Sequence, residues 1–176
     1  MKKNQVDKTS PEYRQQQVSG ARSSLLVVLI FTMVNLLMLL LDSDRYFLFS
    51  ASVPYYLTAF GMGMDIGLGE TGIGTFTLVA LGISAVVLAL YLVSWLMSKK
   101  RPGWLVVAFV AFILDTVALV LVCLAFDALA ESVVDLVFHT WVVVSLCQGI
   151  VANSKLKKMP NEASVMGVQE PVGPEF

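Results

Sequence analysis

Hydrophobic positions in this chain neither alternate nor recur with an amphipathic period; they run on without interruption. Four stretches are apolar almost from end to end: 24–41 (SLLVVLIFTMVNLLMLLL), 76–97 (FTLVALGISAVVLALYLVSWLM), 104–126 (WLVVAFVAFILDTVALVLVCLAF) and 133–152. About 20 helical residues cross a hydrocarbon core about 30 Å thick. Lipid offers no water to exposed backbone groups, so such runs must be helices, and a membrane barrel would alternate instead. The pattern predicts an all-α integral membrane protein, a bundle of four transmembrane helices within residues 24–152.

Polar stretches divide the rest. Residues 1–23 read as a cytoplasmic N-terminal segment. Ser10-Pro11-Glu12 is a helix-start signature: a capping hydroxyl, a proline in the first turn and an acid near the positive end of the helix dipole. The polar lead and the long apolar run suit a signal anchor rather than a cleavable signal peptide. Residues 154–176, with Pro160, Pro171 and Pro174, are expected to be a disordered cytoplasmic tail.

Residues 42–75, between the first two spans, are irregular. Tyr46 to Phe60 (YFLFSASVPYYLTAF) is apolar and aromatic, interrupted by Pro54, and too short to span. It reads as an interfacial or re-entrant segment, with Tyr46, Tyr55 and Tyr56 suited to the headgroup level. Gly61 to Gly74 reads as a flexible, glycine-rich outer loop, or as a gate or partner-docking loop. Gly67, Gly69 and Gly72 spell GxGxxG, but a dinucleotide site needs a strand before it and a βαβ unit around it, and neither is indicated.

Composition agrees with the pattern. Hydrophobic residues make up 57% of the 176 and charged residues 14%, against about 45–50% and about 25% in soluble domains. A water-soluble enzyme is thereby disfavoured. The net charge of −1 conceals a segregation. Lys2, Lys3, Lys8, Arg14, Arg22, Lys99, Lys100, Arg101, Lys155, Lys157 and Lys158 all fall on one side of a four-span arrangement. Arg45 alone joins Asp42, Asp44, Asp65, Glu70, Asp127 and Glu131 on the other. The positive-inside rule then puts both termini in the cytoplasm. Lipid and topology account for the basic clusters, and no nucleic-acid partner is expected.

Few polar residues lie inside the spans, and they form the candidate site. Asp115 is at the centre of the third span; an ionised aspartate there costs roughly 2.5–3.5 kcal/mol to insert, so it must face the bundle, find a partner or stay protonated. Its partner could be structural, most simply Thr116 or Asn35, or the group could respond to protons or cations. His139, the single histidine, has Asp135 one turn before it at i−4, close enough in register to hydrogen-bond. Asn35 lies at a similar depth. Asp115, His139, Asp135 and Asn35 would form a polar track from the outer face inward, with Ser145 and Gln148 extending it, or they would serve as packing groups.

Other chemistry is missing. HExxH, GxxxxGK[ST] and GxSxG do not occur, and a single histidine makes a conventional zinc site poor. No catalytic residue, metal or cofactor is assigned. Cys123 and Cys147 lie near opposite ends of their spans, too far apart to bridge, and read as small buried hydrophobes; the CxxC of four-helix thiol oxidases is absent.

FTMVNLLMLLL, then FLFSASVPYYLTAFG, then DLVFHTWVVVSLCQGIVANSKLKK resemble segments of small uncharacterised integral membrane proteins of Gram-positive bacteria. The resemblance implies a bacterial cytoplasmic (inner) membrane location and no established activity. Three functions remain open. The first is a non-enzymatic accessory, assembly or regulatory subunit working with a membrane-protein partner or as a homo-oligomer, with Gly82, Ala85 and Ala89 as a close-packing face. The second is a small transporter or channel component with Asp115, His139 and Asn35 along its path. The third is an intramembrane enzyme using Asp135 and His139 near the outer interface.

Overall fold

The computed structural model describes residues 10–43, 47, 49–130 and 132–159. Asp44, Arg45, Tyr46, Glu131, the lysines before Ser10 and the tail from 160 onward therefore lie outside the described residues. Among the described residues the regular structure is all α-helix: α1 Pro11–Leu40, α2 Ser52–Gly67, α3 Thr75–Ser98, α4 Trp104–Ala125 and α5 Val133–Leu156. Helices α1, α3, α4 and α5 are long and apolar enough to cross a membrane, which makes this a multi-pass arrangement by length and composition.

Helix α1 starts where the capping signature places it. The Ser10 hydroxyl accepts the Tyr13 N–H at 3.2 Å, with Pro11 and Glu12 in the first turn. The helix then continues unbroken for 30 residues, so the polar lead and the first apolar run are one rod. Its partner along most of that length is α5. Small residues allow the approach: a Cβ on Gly149 would collide with that of Ala21, and the Ser24 and Ser145 hydroxyls meet at 2.8 Å. Leu25, Val28, Tyr91, Leu105, Ala108, Phe112, Val142 and Leu146 form the apolar centre. The remaining faces carry exposed Leu, Val and Ile, as lipid-facing helices do.

The region between α1 and α3 departs most from expectation. The helix begins at Ser52 rather than at the start of the apolar run, and it continues to Gly67 through the stretch expected to be a flexible loop. Gly61 explains this continuation: a Cβ there would meet Phe76 O at 2.8 Å and Ala80 Cβ at 3.1 Å. It is a contact surface for α3, and the glycine allows close approach instead of flexibility. Pro54 does not break the helix, because it occupies the first turn, where a missing N–H costs nothing. Ahead of α2, Phe49 adopts φ 76°, a left-handed conformation that is an outlier for a bulky residue. Its ring is held 4.5 Å from Phe138 and 6.1 Å from Phe31, centroid to centroid. These contacts hold the reversal that turns the chain into α2.

Candidate functional site

Every helix leaves its first four N–H groups without an intrahelical partner. In α2 those groups belong to Ala51, Ser52, Val53 and Pro54, and the first three face the bundle interior. Each has an identifiable acceptor. Ala51 N–H donates to Thr32 Oγ1 of α1 at 2.8 Å. Ser52 N–H and Val53 N–H donate to Asp115 Oδ2 and Oδ1 of α4 at 2.9 and 2.8 Å. Pro54 has no N–H to satisfy. A carboxylate from the middle of one apolar helix thus caps the start of another, and the positive end of the α2 dipole adds charge compensation.

Asn35 grips the chain just before this point. Its amide donates to Phe47 O at 2.7 Å and Ser50 Oγ at 2.8 Å, and its Oδ1 accepts Phe47 N–H at 2.8 Å. Asn35 and Asp115 are therefore not partners of one another. They hold successive parts of the same segment, which is why both are buried, at 1% and 3% exposure.

His139 closes the arrangement from α5. Its Nε2 lies 3.2 Å from Ser52 Oγ, its Nδ1 lies 3.0 Å from Thr116 Oγ1, and its ring stacks on Phe112 at 4.8 Å. Thr116 donates its own hydroxyl to Phe112 O at 2.8 Å. The Ser50 backbone also hydrogen-bonds the ring, so the imidazole is engaged both by α4 and by the segment that enters α2. Asp115 Oδ2 stands 3.9 Å from Nδ1, beyond hydrogen-bond reach.

Asp115, His139 and Asn35 are thus brought to one place, around residues 47–53. Asp135 is partly exposed, and hydroxyls rather than its carboxylate meet both ring nitrogens of His139. Gln148 is exposed and Ser145 pairs with Ser24, so neither extends the cluster. Cys123 is buried as expected, whereas Cys147 is exposed; both are free. Among the described residues no group of His, Cys, Asp and Glu could hold a metal ion.

Ser52, His139 and Asp115 follow the order hydroxyl, imidazole, carboxylate, yet they are not disposed for acyl transfer. The two amides that could hold an oxyanion already donate to Asp115, and Ser52 has 0% exposure. An apolar cavity of about 560 Å³ opens between α2 and α4, lined by Val53, Tyr56, Leu57, Leu119 and Cys123 among others, but no member of the cluster lines it.

A second buried carboxylate does the same work at the other end of α2. Asp65 accepts Phe76 N–H at 3.0 Å, Thr77 N–H at 2.8 Å and Thr77 Oγ1–H at 2.6 Å, capping α3. Gly74 leaves room for it: a Cβ there would collide with the Glu70 and Asp65 carboxylates. Burial pushes the Asp65 carboxyl upward, but the hydrogen bonds from Thr77, Phe76 and Gly74 outweigh it and hold the group below the usual aspartate range.

Sequence reasoning missed Ser52, Thr32 and Asp65, and it offered Thr116 to Asp115 where the structure gives it to His139. Ser52 and Thr32 carry no signal beyond being hydroxyls in apolar surroundings, and charge alone groups Asp65 with the outer acids. No family model, curated protein or solved structure matches the chain.

Proposed function

We propose that this chain is a non-enzymatic accessory, assembly or regulatory component of a bacterial cytoplasmic membrane, with both termini cytoplasmic and residues 42–67 re-entrant from the outer side. The observation that carries this reading is the closure of the polar cluster. Asp115, His139 and Asn35 direct their hydrogen bonds to the segment that enters α2 and to Thr116, and none of the three lines either cavity. Turned onto the chain itself, they act as a lock. Non-helical backbone within a membrane is tolerated where protein satisfies it, and the backbone groups of Phe47 and Ala51 are met by Asn35 and Thr32. The sidedness is supported by Arg22, Lys99, Lys100, Arg101 and Lys155 at one end of the bundle and Asp42, Glu70 and Asp127 at the other.

The α3 face bearing Gly82, Ala85 and Ala89 is exposed, and a Cβ on Gly82 would meet nothing within 4 Å. This is the face on which a partner helix, or a second copy, would pack closely. Photocrosslinkers at Ile83 and Val86 in living cells test this reading. One reproducible membrane-protein adduct is expected; labelling of lipid alone would overturn it.

One observation favours a transport component as the second reading. The N-terminus of a short helix, α2, ends against a carboxylate in the middle of α4, and half-helix termini near a midplane are where transporters hold ions. Proteoliposomes separate the two readings. Proton- or cation-driven flux that Asp115→Asn abolishes supports transport, and equal permeability with and without the protein supports the accessory role.

A further inference from the structure

At the end of the bundle opposite the α2–α3 turn, the ends of α1, α3 and α5 and the α3–α4 turn enclose a second cavity of about 690 Å³. Its polar lining is Gln15, Ser19, Arg22, Ser98, Lys99 and Asn153, with Val18 and Leu156 as an apolar wall. Unlike the cavity beside α2, it contains cationic groups, and among the described residues no acid lines it.

Arg22 is held in place. Its Nε–H donates to Ser98 Oγ at 3.0 Å, one terminal nitrogen donates to Trp95 O at 3.5 Å, and the guanidinium stands 5.8 Å from the Trp95 ring centroid. A guanidinium carries five N–H donors, and these two bonds use two of them. Among the described residues, the single ion pair is that of His139 with Asp115, so neither Arg22 nor Lys99 has an acidic partner. Arg22 is therefore an oriented, half-buried fork of donors beside an exposed lysine, with no counter-anion among the described residues. A charge that served topology alone could extend freely into water, as Lys157 does; Arg22 is tied to α3 instead.

We propose that this cavity binds the phosphodiester headgroup of an anionic phospholipid. Arg22 and Lys99 take the phosphate oxygens, and Gln15, Ser19 and Asn153 meet the hydroxyls of the headgroup. The lipid is favoured over free phosphate because the cavity sits at the end of the bundle where the four apolar helices begin or end, at the level of a headgroup. The inference rests on these helices crossing a membrane, with the basic end at the anionic leaflet.

Native mass spectrometry of the full chain, purified in mild detergent and supplied with phosphatidylglycerol or phosphatidylcholine, tests it. Phosphatidylglycerol should be retained in preference, and Arg22→Gln should reduce its retention roughly tenfold or more, the worth of a charge-assisted hydrogen bond. Lys157→Gln removes the same charge from an exposed site outside the cavity and should leave retention unchanged. If Arg22→Gln does not fold, Lys99→Gln interrogates the same cavity from an exposed side chain and should lower retention in the same direction. Equal losses from the cavity and Lys157 variants, or equal retention of the two lipids, overturn the proposal in favour of diffuse surface charge. Displacement of the lipid by millimolar inorganic phosphate overturns the lipid source. Labelling of the termini from outside the cell would refute the orientation while leaving the retention result standing.

Discussion

Two aspartates in this protein perform the same local task in different surroundings. Asp115 caps α2 from the middle of α4, and Asp65 caps α3 from the last turns of α2. Each carboxylate accepts two consecutive backbone N–H groups of a helix that is not its own. Asp115 lies in the bundle on the buried face of α4 with Phe112 and Leu119, and Ser52 and His139 are buried beside it. Asp65 has no accessible surface because the first turn of α3 wraps it, and it lies at the α2–α3 turn, at the end of the bundle rather than in its middle. The same bond pattern therefore has different consequences. Water can replace what Asp65 supplies once the wrapping loosens, and nothing can replace what Asp115 supplies.

The largest expected effect follows from removing Asp115. Asp115→Leu should cost about 3–5 kcal/mol, since two buried donors are left unpaired at about 1–3 kcal/mol each. Asp115→Asn keeps one acceptor oxygen and should lose less than half of that. Unfolding of each variant in mild detergent measures the difference, and wild-type stability in Asp115→Leu would break the comparison at its root. Thr32→Val removes the acceptor for Ala51 N–H alone, and about 1–2 kcal/mol should go with it. Increased proteolysis within residues 42–51 should accompany both changes.

Asp65 is sharpened by pH rather than by a single loss. Its carboxyl is held below the ordinary aspartate value, so its contribution is complete above about pH 4, the unfolded-state pKa, and is lost as pH falls through the lower, folded-state value. Wild-type protein should lose stability on that acid side, while Asp65→Asn should be less stable at neutral pH and show a flatter acid limb. An unchanged acid limb in Asp65→Asn would assign the titration to another carboxylate. Ser24→Ala lies outside both caps and sets the scale for an ordinary interhelical contact. About 0.5–1 kcal/mol is expected, because the partner Ser145 is only partly buried and keeps other options.

The comparison also separates what could be read from residues alone. Asp115 stood out because a carboxylate at the centre of LVVAFVAFILDTVALVLVCLAF must face the bundle, find a partner or stay protonated, whether its role is packing or chemistry; His139 and Asn35 stood out as the other polar groups within the spans. Their partners could not be read. Sequence distance offers no link between Asp115 and Ser52, 63 residues apart, and register suggested Asp135 for His139 where α4 supplies Thr116 instead. Asp65 was hidden among acids whose charge explained their position well enough. The glycines of 61–74 were misleading: glycine signals flexibility and close approach equally well, and only the distance from Gly61 to Phe76 and Ala80 distinguishes the two.

By itself the sequence determined the number of the long helices, the limits of α3, α4 and α5 to within a few residues, and the separation of basic from acidic ends. These follow from apolar length and the order of charges, one-dimensional properties. The tertiary structure joined the polar lead to α1 as one helix and decided where α2 begins, because a buried backbone must satisfy each N–H. The acceptors that do so come from α1 and α4, which only folding brings together.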